Sequence, residues 1–478
     1  MNKMSRKDIK KENELKISFT LILIIIPNFN KYHLIFNKLF NLLFYKVMYS
    51  KFYYFHYFTK KNPLRLFSCI ILFLSLTFSS CDYADDCSYT YIAYEPIFMS
   101  YDEFRNVPVQ LQDPRPLREV GKIYFHNGYM FVNEINKGIH IINNSNPSAP
   151  TQVGFLSILG NVDMAITGNI LYADSYTDLL IIDLTVVTNP QLLQRIQNTF
   201  NKQIFGNNGY ADPNYGIVVG WDEKEVVVSS NCEDVLYQEG DDFNFNPNQG
   251  SGNPNVGIAG SMARFAITQN HLYTLNGDNL KPYSIANPIL PQPQSEVELG
   301  WGIETLFPYR NNLFIGSQRG MHIYNLEVPS QPRFVSTYEH ITSCDPVVVS
   351  DQTAYVTLRN GTDCRDGVNE LHLIDISDLE NPSLISTESM KNPHGLAVDT
   401  KYVRKTLFVC DGDAGLKVLD VSDPLNINKV TEDNSMNGYD VIAHNDILML
   451  IGKDGLYQYD YGSLGNLRLL SVIPTEKK

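Results

Sequence analysis

"LHLIDISDLENP" at residues 371–382 is an apolar run that stops in a cluster of Asp, Ser, Asn and Pro, and the chain keeps returning to it. It recurs as "GLKVLDVSDP" (415–424) and "LLIIDLTVVTNP" (179–190), and more loosely as "IHIINNSNP" (139–147) and "MHIYNLEVPSQP" (321–332). Aligned on Asp375, the phrases place Asn143, Asp183, Ser284, Asn325, Asp420 and Asp460 at one position, with steps of 40, 101, 41, 50, 45 and 40 residues. All but one step match the 40 to 50 residues that four short strands and their turns occupy in a propeller blade. The 101-residue step hides an insertion.

One unit reads as four strands: "PHGLAVDT" (393–400), "TLFVCDG" (406–412), "GLKVLDVS" (415–422) and a last strand near "NKVTED" (428–433). The third is apolar on both faces, as expected of a strand covered by a neighbouring blade on each side. Its terminal Asp or Ser can cap backbone N–H groups of the next turn, and the Pro, lacking an N–H, ends the ladder. Seven units start near Gly121, Asn161, Met262, Gly302, Asp345, Pro393 and Gly438. The spacing therefore predicts an all-β, seven-bladed β-propeller of four-stranded antiparallel blades over 107–475, with residues 203–260 as an insertion outside the repeat. Within that insertion "GIVVGWDEKEVVV" (216–228) reads as a projecting hairpin and "DDFNFNPNQGSGNPN" (241–255) as a loop. Trp221 in the hairpin either anchors a partner or packs on the propeller side.

The repeats "LHLIDISDLENP" and "GLKVLDVSDP" resemble the LVIVD repeat of bacterial β-propellers, and "NPHGLAVD" followed by "LFVCDGDAGLKVLD" looks like an NHL-type blade. The resemblance covers roughly 120–475 and implies architecture, with members that are mostly surface or envelope proteins; it implies no reaction.

The first 80 residues differ from the rest, with 13 of the 38 Lys and Arg and only 3 of the 52 Asp and Glu. "CIILFLSLTFSS" (69–80), preceded by Lys60, Lys61 and Arg65, has the order of a secretory signal and is too short to span a bilayer as a mature helix. "TFSSC" (77–81) resembles a bacterial lipobox, with Phe78 where an aliphatic residue is usual, and the resemblance implies lipidation of Cys81. Residues 1–47 are either an upstream start taken in error or a membrane-associated N-terminal helix. Residues 81–106 then form a tether whose Asp82, Asp85 and Asp86 look like the signals that send lipoproteins of the Bacteroidota to the outer face of the outer membrane; a plain solvated linker is the alternative. From Cys81 onward, 25 basic stand against 49 acidic side chains, a formal charge of −24, which disfavours nucleic acid and anionic lipid as partners.

In a propeller the loops entering the first strand and those joining strands two and three share a face. Cys344 and Cys364 both fall there in the fifth unit, and in an exported chain they form a disulfide or stand as two free thiols. The same face gathers Asp163, Asp174, Arg264, Glu304, Asp345, His394, Asp411, Asp413 and Asp440. Of these, Asp163, Glu304, Asp345, His394, Asp411 and Asp413 are the candidate ligand-binding residues at the channel, although "DGDAG" (411–415) is also ordinary turn chemistry. No G-x-S-x-G, H-E-x-x-H or paired C-x-x-C occurs, and no motif names a cofactor or a catalytic residue. The expectation is a lipid-anchored envelope propeller that binds or scaffolds a protein or glycan; the alternative is a metal-dependent propeller hydrolase or lactonase working in the channel.

Overall fold

All seven aligned phrase positions are the last residue of a third strand: Gly138–Asn143, Asp178–Asp183, Asn279–Ser284, Gly320–Asn325, Glu370–Asp375, Leu416–Asp420 and Gly455–Asp460. The computed structural model describes residues 87–200, 214–230, 258–340, 346–360, 368–401, 404–463 and 466–476. The chain divides into two compact units, Met1–Ser88 with Ser229–Asp234 and Tyr89–Val228 with Val235–Lys478, and the second holds the blades.

Seven sheets each carry four antiparallel radial strands, spanning 120–157, 164–196, 265–298, 303–339, 347–389, 396–433 and 438–474. In the third blade the outermost strand is split between Gln292–Pro293 and Val297–Glu298, both paired to the third strand. The first strands touch their neighbours around a closed circuit, first blade to second and so on to seventh and back to first, so they form the inner ring.

The repeated phrase does two jobs. Inside each third strand the apolar run is buried: Leu371, Leu373 and Ile374 are fully covered, each such side chain contributing about 1.5–3 kcal/mol on burial. At its end the Asp or Asn carboxyl or amide oxygen accepts the N–H two residues on, as in Ser377 to Asp375 (2.8 Å), Ser422 to Asp420 (3.0 Å) and Ser145 to Asn143 (3.0 Å). The turn that follows then receives the preceding blade. Tyr172 donates to the Pro288 carbonyl (2.7 Å), Tyr273 to Pro329 (2.8 Å), Ser386 to Pro424 (2.6 Å) and Ser471 of the last blade to Pro147 of the first (2.7 Å).

The ring closes without borrowing a strand. The first and last blades meet through an apolar seam of Leu117, Ile123, Met130, Val132 and Ile142 against Ile442, Met449, Ile451 and Leu456. Inside it the Asn144 and Gln458 amides exchange two hydrogen bonds, each 2.8 Å. A parallel bridge joins Leu117 to Thr475, and the Glu476 N–H donates to the Leu117 carbonyl (2.8 Å).

The segment before the ring is more structured than a bare tether. Strand Cys87–Met99 pairs with strand Ile217–Ser230, so the inserted "GIVVGWDEKEVVV" finds its partner in the tether region and does not fold back on itself as a hairpin. Trp221 there is half-buried. Helix Tyr101–Asn106 follows, started by a capping box in which Ser100 and Glu103 bond reciprocally. Its Phe104 is buried against Val162, Tyr176 and Ile217, and Arg105 forks onto the fully buried Asp178 carboxylate with two contacts of 2.8 Å. Among the described residues no helix is long and apolar enough to cross a membrane.

Candidate functional site: the channel mouth and the seam

The inner ring is charged where its strands begin. Lys122, on the first blade's inner strand, is buried and donates to Asp163 Oδ2 of the second blade at 2.5 Å. The same oxygen accepts the Arg264 N–H of the third blade (2.5 Å), and Asp163 Oδ1 accepts from Met164 N (2.7 Å). Burial pushes the Lys122 ammonium and the Arg264 guanidinium down, while Asp163 pulls both back toward the charged form. Asp440 enters the cluster from the seventh blade. It is fully buried, Oδ1 accepts from Val441 N (2.6 Å), and desolvation lifts it well above the ordinary carboxylate range. Asp440 Oδ2 and Arg264 Nε are buried without a hydrogen-bond partner.

The chain itself also runs along the inner edge of the ring. Residues Ile258–Ala259, at the end of the inserted segment, pair antiparallel with Phe125 and Tyr124 on the inner edge of the first blade. Ser261, two residues on, accepts the Leu396 N–H of the sixth blade at 2.6 Å. A run bonded to the inner strands of two blades lies within the ring, and Ala259, Ser261, Met262 and Ala263 are all buried there.

Two of the carboxylates picked out by sequence hold loops in place. Asp174, next to last in the second strand of its blade (Ile170–Ser175), accepts at Oδ1 from Asn161 Nδ2 (2.8 Å), Val162 N (2.8 Å) and Asp163 N (2.9 Å). Desolvation still outweighs these donors and raises its pKa to about 7. Asp411 occupies the matching place in the sixth blade: it accepts from Lys391 N (2.9 Å) and Asn392 N (2.7 Å) and pairs with Lys417 (2.7 Å), with no exposed surface. Each fastens the loop that enters the first strand of its own blade.

The remaining candidates disperse. Glu304 accepts from Gln318 (3.3 Å) and its charge reaches Arg264. His394 is buried against the Tyr439 ring, centroids 5.5 Å apart, and desolvation with the nearby Arg359 lowers its pKa to about 3, so the imidazole is neutral at physiological pH. Asp413 takes a hydrogen bond from Asn437 and lines a cleft of about 690 Å³ where the sixth and seventh blades meet the first. Asp345, Cys81, Cys344 and Cys364 lie outside the described residues. Cys410 is a buried free thiol, its pKa pushed up by burial. Among the described residues no three or more His, Cys, Asp or Glu side chains are grouped so that they could hold a metal ion.

Sequence reasoning missed Lys122 and the inner-edge run 258–262. A lysine inside "VGKIYFH" (120–126), on a strand otherwise apolar, was the available signal for the first. Nothing in the composition of 241–262 signals the second.

The LVIVD repeat model matches residues 118–156, 344–387 and 395–431, which fall on the first, fifth and sixth blades. No curated protein matches the sequence. Similar solved structures include a proposed 6-phosphogluconolactonase from Bacteroides fragilis (10% identity, 76% of this chain and 98% of that one, TM-score 0.48). A Lactobacillus plantarum protein (13%, 74% and 96%, 0.47) and Sqt1 of Saccharomyces cerevisiae (10%, 77% and 89%, 0.43) are others. At these identities and scores none of them bears on chemistry. The chain is a seven-bladed β-propeller carrying LVIVD repeats.

Proposed function

We propose that the protein is a cell-envelope lipoprotein whose propeller acts as a binding or scaffold module, held to the outer membrane by acyl chains on Cys81. The observation that carries this reading is the prior engagement of three of the buried carboxylates, Asp440 keeping one oxygen without a partner. Asp163 is bonded to Lys122, Asp174 to three donors of its own loop, and Asp411 to Lys417 and two backbone N–H groups. Recruiting any of them as a base or metal ligand would strip a buried charge or donor of its partner, at about 1–5 kcal/mol each. The run 258–262 also lies against the inner strands of the first and sixth blades, on the side a channel substrate would have to meet. A surface that binds needs none of those groups.

The test is cross-linking in intact cells followed by affinity capture of the full chain from envelope membranes. An envelope protein or glycan recovered specifically is the expected result. Capture indistinguishable from that of an unrelated propeller, together with metal-dependent ester or lactone hydrolysis by the purified chain, overturns the reading in favour of the hydrolase. For the anchor, Cys81→Ser should move the protein out of the membrane fraction, and unchanged membrane retention removes Cys81 from that role.

A further inference from the structure

The two-stranded sheet that precedes the ring leaves an apolar face bare. Its strands, Cys87–Met99 and Ile217–Ser230, pair only with each other among the described residues. They run in opposite directions: Gly216 lies against the Met99 carbonyl, Gly220 beside Ile97, and Lys224 pairs with Glu95. Side chains alternate across a strand, so these contacts sort the two faces. Glu95, Ile97, Gly220 and Lys224 share one. The other takes Ile92, Tyr94, Pro96 and Phe98 from the first strand and Val219 with Trp221 from the second. Phe98 meets the Tyr215 ring there, centroids 5.5 Å apart. This face is open to solvent, with Ile92 54% exposed, Tyr94 59% and Phe98 38%. Contiguous apolar surface of this kind marks a contact with a partner or a membrane.

Two observations say what covers it. The first strand starts six residues after Cys81, and a chain spans at most about 3.6 Å per residue, so an acylated Cys81 holds the near end of the sheet within about 22 Å of the bilayer. At its other end the sheet is fixed, because Ile217 is buried against Phe104 of the helix Tyr101–Asn106. The second observation is the sheet itself. Two strands alone are marginal in water, and unpaired edges are excluded from hydrocarbon. The level that suits both is the headgroup layer, where Tyr and Trp rings settle with one end apolar and the other wet. Charge narrows the lipid. Glu223 and Glu225 alternate onto the same face as Trp221 and are exposed, so they oppose anionic headgroups and meet the ammonium groups of zwitterionic ones.

From this geometry we propose that the apolar face around Ile92, Tyr94 and Trp221 rests in the zwitterionic headgroup layer of the bilayer that holds Cys81, so that the propeller is carried at a fixed attitude instead of swinging on a bare tether. The proposal rests on the Cys81 anchor and gives it a second membrane contact.

The test uses the acylated chain extracted from membranes and reconstituted in vesicles of phosphatidylethanolamine and phosphatidylcholine. The chain has two tryptophans, so Trp301→Phe leaves Trp221 as the sole reporter. Lipid brominated near the headgroup end of its acyl chains should quench Trp221 fluorescence more strongly than lipid brominated at the chain ends. Ile92→Ser with Tyr94→Ser, both at exposed positions where folding is not at risk, should lower the ratio of quenched to unquenched protein at least about tenfold. Trp221 left unquenched in acylated protein, quenching that survives the double variant, or a cross-link joining this face in two copies of the chain overturns the proposal and leaves the anchor standing. Mass analysis that finds Cys81 unmodified in membrane-derived protein removes the anchor, and the proposal with it.

Discussion

The turn after four of the seven third strands and the loop entering certain first strands both lean on an aspartate, under opposite conditions. Asp375, Asp420 and Asp460 sit at the blade margin, partly exposed, and their pKa values are lowered. At Asp375 the backbone N–H of Ser377 is the main cause, and at Asp460 the Arg468 side chain; at Asp420 burial is the largest single cause and acts upward, but the Ser422 bonds and Arg404 together overcome it. Asp174 accepts from three donors, as many as Asp420 meets in Ser422 and Arg404, yet its pKa is raised, because burial costs the charged form more than those bonds return. Donor count therefore does not decide the charge of a carboxylate here; access to water does.

The sharpest way to break that comparison is at the buried ion pair. Asp163→Ala leaves the Lys122 ammonium buried without its partner, and a loss of about 3–5 kcal/mol is expected in urea unfolding at neutral pH. Replacing both at once, Lys122→Met with Asp163→Leu, should recover most of it. A double variant as unstable as the single one would show that the Asp163 bonds to Arg264 N and Met164 N, and not the orphaned charge, carry the cost.

Asp174 gives the next largest effect. Asp174→Ala orphans three buried donors and should cost about 2–3 kcal/mol, and Asp174→Asn, which keeps an acceptor oxygen, about half that. The pH dependence has a definite sign. The folded pKa is raised from the ordinary value of 3.8 to about 7, so the stability linked to this group is complete below about pH 4, is lost as pH rises toward 7, and is flat above. Asp174→Asn should flatten that stretch of a stability–pH curve. An unchanged slope would mean that Asp174 is as easily ionised as a marginal aspartate.

At the seam, Gln458→Leu removes one half of a reciprocal amide pair and should cost about 1–3 kcal/mol, whereas Asn144→Leu with Gln458→Leu together should cost less than the sum of the two alone. The smallest effect belongs to the margin: Asp375→Ala loses one turn hydrogen bond, about 0.5–1 kcal/mol by thermal unfolding. Its pKa is lowered, so its contribution is present above about pH 4 and fades as pH falls through the folded value, the reverse of Asp174. If Asp375→Ala destabilises as much as Asp174→Ala, exposure does not separate the two classes.

The margin was legible in the sequence and the ring's interior was not. A third strand writes its burial as an unbroken apolar run and its end as Asp-x-Ser or Asn-Pro, all within a dozen residues, so local chemistry located seven strand ends. Lys122 and Asp163 are 41 residues apart, and their pairing depends on how two blades pack. The sequence placed Asp163, Asp174, Arg264 and Asp440 on one face, and they do converge electrostatically, but it gave no sign that Asp174 is consumed by its own loop; for Asp411 the turn chemistry of "DGDAG" was that sign. The tether was under-read for a different reason. Ser100 to Glu103 spells a capping box, and that local signal lay within reach.

The four radial strands of each blade come from one uninterrupted stretch, and the first and last blades join by side chains and one bridge instead of a shared strand. The ring consequently has no privileged starting point. A chain cut in the loop between two blades and rejoined from Thr475 to Leu117 by a short linker would rebuild the four radial strands of every blade in native register. A genetic duplication of one 40-residue unit would likewise leave all other blades whole, so that blade number in such rings can change by single steps. During synthesis the blades can form one after another as the chain emerges, and the seam, with the cleft it frames, is the last part to exist.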